Sequence, residues 1–417
     1  MPDLFLGLDI GTSGARAIVI DAEGTVTGEG KAAMAEIGLN HRAPDVWWQA
    51  GKTAVTGALS NVDPGLIKAL SVDGTSGTML AVDNELTPLG DGVMYNDACR
   101  DKALIERIKS AAPDTSAALG ANSALARALA LSEVRPAQIL HQADWIASRF
   151  SGRGVSDENN ALKTGFDLTA KAWPDWIAVT GLDVSLLPDV VEPGTPIGPV
   201  SAAAQHAFDL SPDAQVVAGT TDGCASFVAT GADHSGAGVT VLGTTMTIKL
   251  LSDRPISAPE YGIYSHRILG KWLAGGASNT GGRVLLKYFD ADTIAGLSSR
   301  IDPETDCPLD YYPLAEPGER FPISDPTLPP RLEPRPDNDA EFLCGLFDGI
   351  ARIEALAYRR LKELGAPDLV SVRTVGGGAQ NAIWTRMRER RLGVSLIAPA
   401  STEAAYGSAL LARRVVM

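Results

Sequence analysis

At 417 residues with a formal net charge of −14, the chain is long enough for two domains and too acidic to favour a nucleic-acid backbone, whose recognition rests on cationic contacts. Its 45% hydrophobic and 21% charged residues describe an ordinary globular protein, and no apolar run reaches membrane-spanning length. Cys99, Cys224, Cys307 and Cys344 are scattered without Cys-x-x-Cys spacing, and the five histidines form no His-Glu-x-x-His, so no zinc site is indicated. The N-terminus runs directly into a strand pattern, so no signal or transit segment is expected. The expectation is a cytoplasmic protein with reduced thiols and neither nucleic acid nor membrane as partner.

The first stretch, residues 4–20, places apolar runs on both sides of Gly11-Thr12-Ser13-Gly14, the pattern of a β-hairpin. Asp9 closes the first strand. Glycines let backbone N–H groups approach an anion, and Thr12 and Ser13 add hydroxyls, so the turn reads as a phosphate cradle with an acid beside it for Mg²⁺. A tight surface hairpin with an incidental acid is the plain alternative. The turn matches neither Gly-x-x-x-x-Gly-Lys-Ser/Thr nor the dinucleotide fingerprint. Residues 25–30 read as a third strand, and a helix runs from Asp45 through Leu59. A strand over 68–72 ends in Asp73-Gly74-Thr75-Ser76, which repeats the Gly-Thr-Ser-Gly tetrapeptide at 74–77, and 79–82 continues as a strand.

Tyr95-Asn96-Asp97-Ala98-Cys99-Arg100 precedes a helix over 101–111; Asp97 and Arg100 serve equally well as a cap and a solvated first turn. Residues 114–150 read as mainly helical and 157–163 as a polar loop. A buried strand over 216–221 ends at Asp222, followed by a small-residue turn and a helix. In open α/β sheets ligands sit beyond the carboxyl ends of strands, where Asp9, Asp73 and Asp222 would gather. Asp222 also suits the cap of the helix that follows it.

The second half repeats this outline. Residues 238–250 are strand, Gly243-Thr244-Thr245 turn, strand, with no strand-end acid, which suggests a duplicated domain with one phosphate clamp per copy. A glycine-rich turn follows over 275–282. Residues 302–337 are proline-rich but carry Tyr311, Tyr312 and Phe321, and read as an ordered connection. After a helix over 339–364, a strand over 370–375 ends in Gly376-Gly377-Gly378. Those glycines leave room for a flat ring that Asn381 could hydrogen-bond and Trp384 could stack against. Arg386, Arg388, Arg390 and Arg391 read as a solvated helix face.

In order along essentially the whole chain, these segments resemble the FGGY carbohydrate kinases of the actin, Hsp70 and hexokinase fold superfamily. The opening hairpin resembles the first phosphate motif, Gly243-Thr244-Thr245 the second, and Gly376-Gly377-Gly378 with Asn381 the adenosine motif. Gly219-Thr220-Thr221-Asp222 resembles the catalytic-base segment. Residues 95–100 resemble Trp-x-Asp-x-Arg with tyrosine in place of tryptophan, and Gly318-Glu319-Arg320-Phe321-Pro322 matches Gly-Glu-Arg-x-Pro. Where xylulose kinases carry Gln-Met-His, this chain reads Thr78-Met79-Leu80. Asp73-Gly74-Thr75-Ser76 is closer to ribulose-type kinases, and the short chain resembles the compact D-ribulose kinases of cyanobacteria and plants.

The resemblance implies an α/β protein of two ribonuclease-H-like (actin/hexokinase-type) domains with a cleft between them. Residues 1–224 would form the N-terminal domain and 225–417 the C-terminal one, with the last helix able to pack back on the first. It implies transfer of the γ-phosphoryl group of MgATP to a ketopentose, D-ribulose first. Asp222 would be the base, with Asp9 and Thr12 completing the catalytic set and Asp9 holding Mg²⁺ through water. Asp9, Ser13, Asp73, Gly74, Thr75, Ser76, Asp97 and Asp222 would contact the sugar. Gly11, Thr12, Ser13 and Arg16 from the first half, and Gly243, Thr244, Gly276, Gly377, Gly378, Asn381 and Trp384 from the second, would contact ATP. D-Xylulose, L-ribulose or another polyol are alternative substrates. An actin- or Hsp70-like ATP-gated binding module and an idle sugar sensor are alternative classes. The state would be monomer or homodimer.

Overall fold

The computed structural model describes residues 3–416. They divide into two compact units. The first holds the chain as far as Ala229, with His266–Leu269 and the stretch from Glu403; the second holds Thr230–Ser265 and Gly270–Thr402.

The first unit is built on β1 (Leu4–Ile10), β2 (Gly14–Ile20), β3 (Val26–Ala33), β4 (Ile67–Gly74), β5 (Pro196–Pro199) and β6 (Gln215–Thr221), ordered β3-β2-β1-β4-β6-β5. β1 and β2 form the expected antiparallel hairpin, closed by Ile10 opposite Ala15. β1, β4 and β6 run parallel. Strand side chains alternate between faces. Leu4, Leu6, Leu8 and Ile10 enter one core, with Trp47, Ala50 and Ala54 of the helix Pro44–Leu59. Phe5 enters the opposite core, with Ala405 and Ala409 of the C-terminal helix Ala404–Arg413. Gly7 lies on that second face because a Cβ there would stand 1.9 Å from the Ala405 carbonyl oxygen. Helices on both faces of the sheet make this an α/β layer structure.

The second unit repeats the plan with β7 (Ala237–Leu242), β8 (Met246–Ser252), β9 (Lys271–Ser278), β10 (Ser371–Val375) and β11 (Ser395–Ile397), ordered β9-β8-β7-β10-β11. Again the first two strands are an antiparallel hairpin, and a parallel strand flanks its first arm. The helices Asp339–Glu363 and Ala382–Leu392 cover the sheet through Phe342, Leu346, Phe347, Ile350, Trp384 and Met387. The connection over 302–337 is ordered, as its aromatics require: Tyr311 and Phe321 are buried in the same core.

Four local expectations are corrected. Residues 114–150 are not continuously helical, because a strand, Gln138–His141, separates the helices Ala124–Ser132 and Gln142–Ser151. The polar run 157–163 belongs to a buried helix, Glu158–Thr164, whose first amides are capped by Asp157. Gly275 and Gly276 lie in β9 rather than in a turn; a Cβ on Gly276 would come within 2.6 Å of the Phe321 ring. Arg388 is fully buried instead of solvated. Among the described residues no helix is long and apolar enough to cross a membrane, and the four cysteines are free thiols.

Candidate active site

In the first unit, parallel pairing puts Asp9 opposite Asp73, and Thr220 and Thr221 opposite Asp73 and Gly74. Asp222 follows at the end of β6, so three carboxylates stand at the carboxyl ends of three successive strands, with the Asp222 charge acting on the other two. Burial pushes Asp9 up to about 6; its hydrogen bond with Asp73 opposes that shift and the Asp222 charge reinforces it. Asp73 is held well above the usual carboxylate range, first by complete burial and then by the Asp9 charge. Desolvation and repulsion together favour a shared proton in this pair. Asp222 is half-buried, and its Oδ1 accepts the Gly223 amide at 2.6 Å.

The Gly11–Gly14 turn is closed by the Gly11 amide on the Gly14 carbonyl at 2.9 Å, and Thr12 and Ser13 stand exposed above it. Arg16 lies opposite Asp9 on β2 and is ion-paired with Glu403, which occupies the N-cap position of the C-terminal helix.

The Asp73–Ser76 segment is not the open ligand surface its composition suggests. Asp73 is sealed from solvent, and its Oδ2 accepts the Ser408 hydroxyl at 2.5 Å. Thr75 is buried as well; its amide and hydroxyl both donate to Gln142 Oε1, at 3.1 and 2.7 Å. A Cβ on Gly74 would stand 3.2 Å from that same oxygen. Asp73, Gly74 and Thr75 therefore support the site from behind, and Ser76 is the half-buried hydroxyl of the four with no hydrogen bond among the described residues.

Asp97 is likewise engaged. Its carboxylate takes both terminal nitrogens of Arg42 and the Met94 amide, and the Arg42 hydrogen bond holds it below the usual carboxylate range. It latches the 94–97 turn, and the cap of the following helix is Asp101.

In the second unit, the turn after β7 is braced from behind. The Gly282 and Arg283 amides donate to the Gly243 and Thr244 carbonyls at 2.8 and 3.1 Å. Beside it lies a cavity of about 590 Å³, within the range of ligand pockets, lined in part by Leu242, Thr244, Phe347, Gly377, Asn381 and Trp384. Gly376 has φ +93°, and a Cβ on it would meet the Leu242 carbonyl at 2.7 Å; a Cβ on Gly377 would meet nothing within 4 Å, so that position opens on the cavity. Trp384 stacks on Phe347, with centroids 4.7 Å apart and planes 7° off parallel, and its Nε1 donates to the Phe347 carbonyl. Asn381 caps the helix through Oδ1, and its Nδ2 donates to Ser298 Oγ at 2.8 Å. Gly276 packs against Phe321, so its missing side chain serves the core.

Sequence reading missed several supports. Asn159 donates to Thr220 Oγ1 at 2.9 Å and exchanges hydrogen bonds with the Arg267 backbone, fixing the strand that delivers Asp222. Gln142 and Ser408 support the first site, and Glu319 is buried against Ser278 and the Asn279 amide. The Gly-Glu-Arg-x-Pro match was the one signal that marked any of these.

Residues 4–118 match the N-terminal domain, and 238–415 the C-terminal domain, of the FGGY family of carbohydrate kinases. A xylulose kinase of Klebsiella pneumoniae is 25% identical over 287 residues, 64% of this chain and 59% of that protein. An autoinducer-2 kinase of Yersinia pestis is 26% identical over 98% of this chain and 86% of its own length. Among solved structures, a xyloylose kinase from Brucella ovis superposes with a TM-score of 0.85 at 21% identity, covering 99% of this chain and 91% of that one. A gluconate kinase from Lactobacillus acidophilus gives 0.83 at 17%, over 100% and 90%. The Plasmodium falciparum glycerol kinase with ADP gives 0.81 at 14%, over 99% and 89%. At these identities the structural likenesses establish the fold alone.

Proposed function

The chain belongs to the FGGY family of carbohydrate kinases, and from that premise we propose that it transfers the γ-phosphoryl group of MgATP to a ketopentose, D-ribulose giving D-ribulose 5-phosphate. The observation that carries the reading is that Asp9 and Asp222 stand at the ends of β1 and β6, on either side of β4, close enough for the Asp222 charge to act on Asp9, with the exposed Thr12 and Ser13 turn following β1.

Phosphoryl transfer passes through a loose transition state, so the protein's task is positioning and charge neutralisation. Asp222 would accept the sugar hydroxyl proton late in the reaction, and needs no strongly raised pKa for that task. Ser13 and Ser76 would hold other sugar hydroxyls. Each turn, Gly11–Ser13 in the first unit and Gly243–Thr244 in the second, offers amides and hydroxyls suited to phosphate. Adenosine would fill the cavity beside Gly377 and Gly378, with Asn381 and Trp384 shaping its wall. Among the described residues no cluster of three metal-binding side chains occurs, and Mg²⁺ that arrives with a nucleotide needs only one or two carboxylates. The half-buried oxygen donor Asp9 fits that role through water; the ion, when bound, neutralises phosphate charge.

D-Ribulose rests on the resemblance of Asp73-Gly74-Thr75-Ser76 to ribulose-type kinases, of which Ser76 is the hydroxyl left half-buried, and on leucine at position 80, where xylulose kinases carry histidine. D-Xylulose is the second reading, since one relative bears the name xylulose kinase at 25% identity. The test is ADP release from MgATP across D-ribulose, L-ribulose, D-xylulose, L-xylulose, ribitol, glycerol, gluconate and autoinducer-2, each against a blank without sugar. Saturable turnover with D-ribulose above the rest is the expected result. A preference for another sugar moves the substrate and keeps the chemistry, whereas hydrolysis indifferent to every sugar refutes the kinase.

A further inference from the structure

Arg388 and Glu354 lie in the interior of the second unit, and neither side chain has any solvent exposure. The guanidinium meets the carboxylate with two hydrogen bonds, Nε to Oε2 at 2.6 Å and a terminal nitrogen to Oε1 at 2.7 Å. Each partner also holds a strand. Thr240 of β7 donates its hydroxyl to Glu354 Oε1 at 2.5 Å, and Arg388 donates to Thr374 Oγ1 of β10 at 2.9 Å. Thr240 stands three residues before Gly243, and Thr374 two before Gly376. The ion pair thus grips both strands just before they deliver the turns that edge the 590 Å³ cavity.

The same two helices build the cavity wall. Phe347 precedes Glu354 by two helical turns, and Trp384 precedes Arg388 by one, so each ring lies on the face that carries its helix's charged group. The rings stack 4.7 Å apart. A buried ion pair is a poor source of stability, because desolvation offsets most of its attraction and an apolar pair of similar volume serves as well. A bidentate guanidinium–carboxylate contact does fix direction and distance, which an apolar contact does not.

We infer that Arg388 and Glu354 are positioning residues for nucleotide binding: their contact fixes the two helices against β7 and β10, and with them the spacing between the Thr244 turn and Gly377–Gly378. The inference rests on the nucleotide reading of the cavity given above. The ligand class is the purine nucleoside triphosphate and its diphosphate product.

The test compares the wild type with the apolar double variant Glu354→Leu/Arg388→Met and with Thr374→Val, which is close to isosteric. Melting temperature, ADP affinity by calorimetry, and KM for MgATP and for the sugar are measured on each. The double variant is expected to melt near the wild type yet bind ADP about tenfold more weakly, within the range of coupling that a packed network carries, with the sugar KM unchanged. Thr374→Val should weaken ADP about threefold, with little change in melting temperature. Should the double variant fail to fold, Thr374→Val decides alone. Wild-type ADP affinity in the folded variants overturns the inference and leaves the kinase reading standing. A wild type that binds no ADP overturns both.

Discussion

The two units build the same hairpin for opposite electrostatic ends. In each, an antiparallel pair of strands is joined by a Gly-Thr turn and flanked by a parallel strand. In the first, the flanking strand supplies Asp73, a second carboxylate against Asp9, with Ser408 as its neutral support. In the second, the charge behind the strands is cancelled within the protein, Glu354 against Arg388. The first unit keeps Asp9 and Asp73 without a buried cation bonded to them among the described residues, and under the proposed reaction its strand-end acids would serve a metal-bound phosphate and a hydroxyl. The second presents amides, hydroxyls and an apolar wall, which under the same proposal would receive a nucleotide.

The largest expected effect separates these roles. Asp222→Asn should lower sugar phosphorylation by roughly 10²–10⁴-fold, the span attributed to a positioned proton acceptor. Calorimetry should show ADP affinity within about twofold of wild type; unchanged turnover would refute the assigned base. Next, Gly7→Ala forces a methyl against the Ala405 carbonyl oxygen, 1.9 Å from the ideal Cβ position. Strands and helix backbones yield little, so urea unfolding should register a loss of about 2–3 kcal/mol; a neutral result would show that the C-terminal helix can shift.

A pH effect of similar size is expected in the first unit. Burial raises Asp157 to about 6 against its bonds from Asn160 and Asn159, and Asp144, buried nearby, is raised by burial and by the Asp157 charge. A raised carboxylate binds its proton more tightly folded than unfolded, so this group's contribution to stability falls as pH climbs from about 4 to about 6 and is level above that. Asp157→Asn, which keeps a cap oxygen and has no charge to bury, should gain on wild type by on the order of 2–3 kcal/mol between pH 4 and pH 7. A difference that stays constant with pH would show that Asp157 does not titrate in that window. The smallest effect belongs to the second unit: Gly377→Ala meets nothing within 4 Å, so it should melt like wild type while narrowing the cavity. ADP affinity should fall about three- to fivefold, roughly the cost of one poor contact. Wild-type affinity there would place the nucleotide elsewhere.

The hairpins, the strand-end acids and the glycine run before Asn381 were legible because each is a local pattern of turn chemistry and alternation, complete within twenty residues. The supports were not. Ser408 meets Asp73 across 335 positions, Gln142 meets Thr75 across 67, and Arg388 meets Glu354 across 34. A charged residue on a helix reads as solvated until its partner is known, which is how Arg388 was misjudged. Gly276 misled in the other direction: glycine is read as a turn, whereas here a strand needs it because a Cβ would collide with the Phe321 ring packed against it. The helix Glu158–Thr164 was hidden by its asparagines, although Asp157 was a cap signal in plain sight.

The contact between Gly7 and the Ala405–Ala409 helix bears on the order in which the chain acquires structure. β1 is made before the second unit, yet Phe5 on one of its faces packs on the helix Ala404–Arg413, and Asp73 of the neighbouring strand takes its hydrogen bond from Ser408 of that helix. Contacts of such high sequence separation form late. The second unit, contiguous but for His266–Leu269, can complete its core while the first still waits with an open sheet face. The unit whose strands come earlier in the chain is therefore the one whose sheet face is covered later.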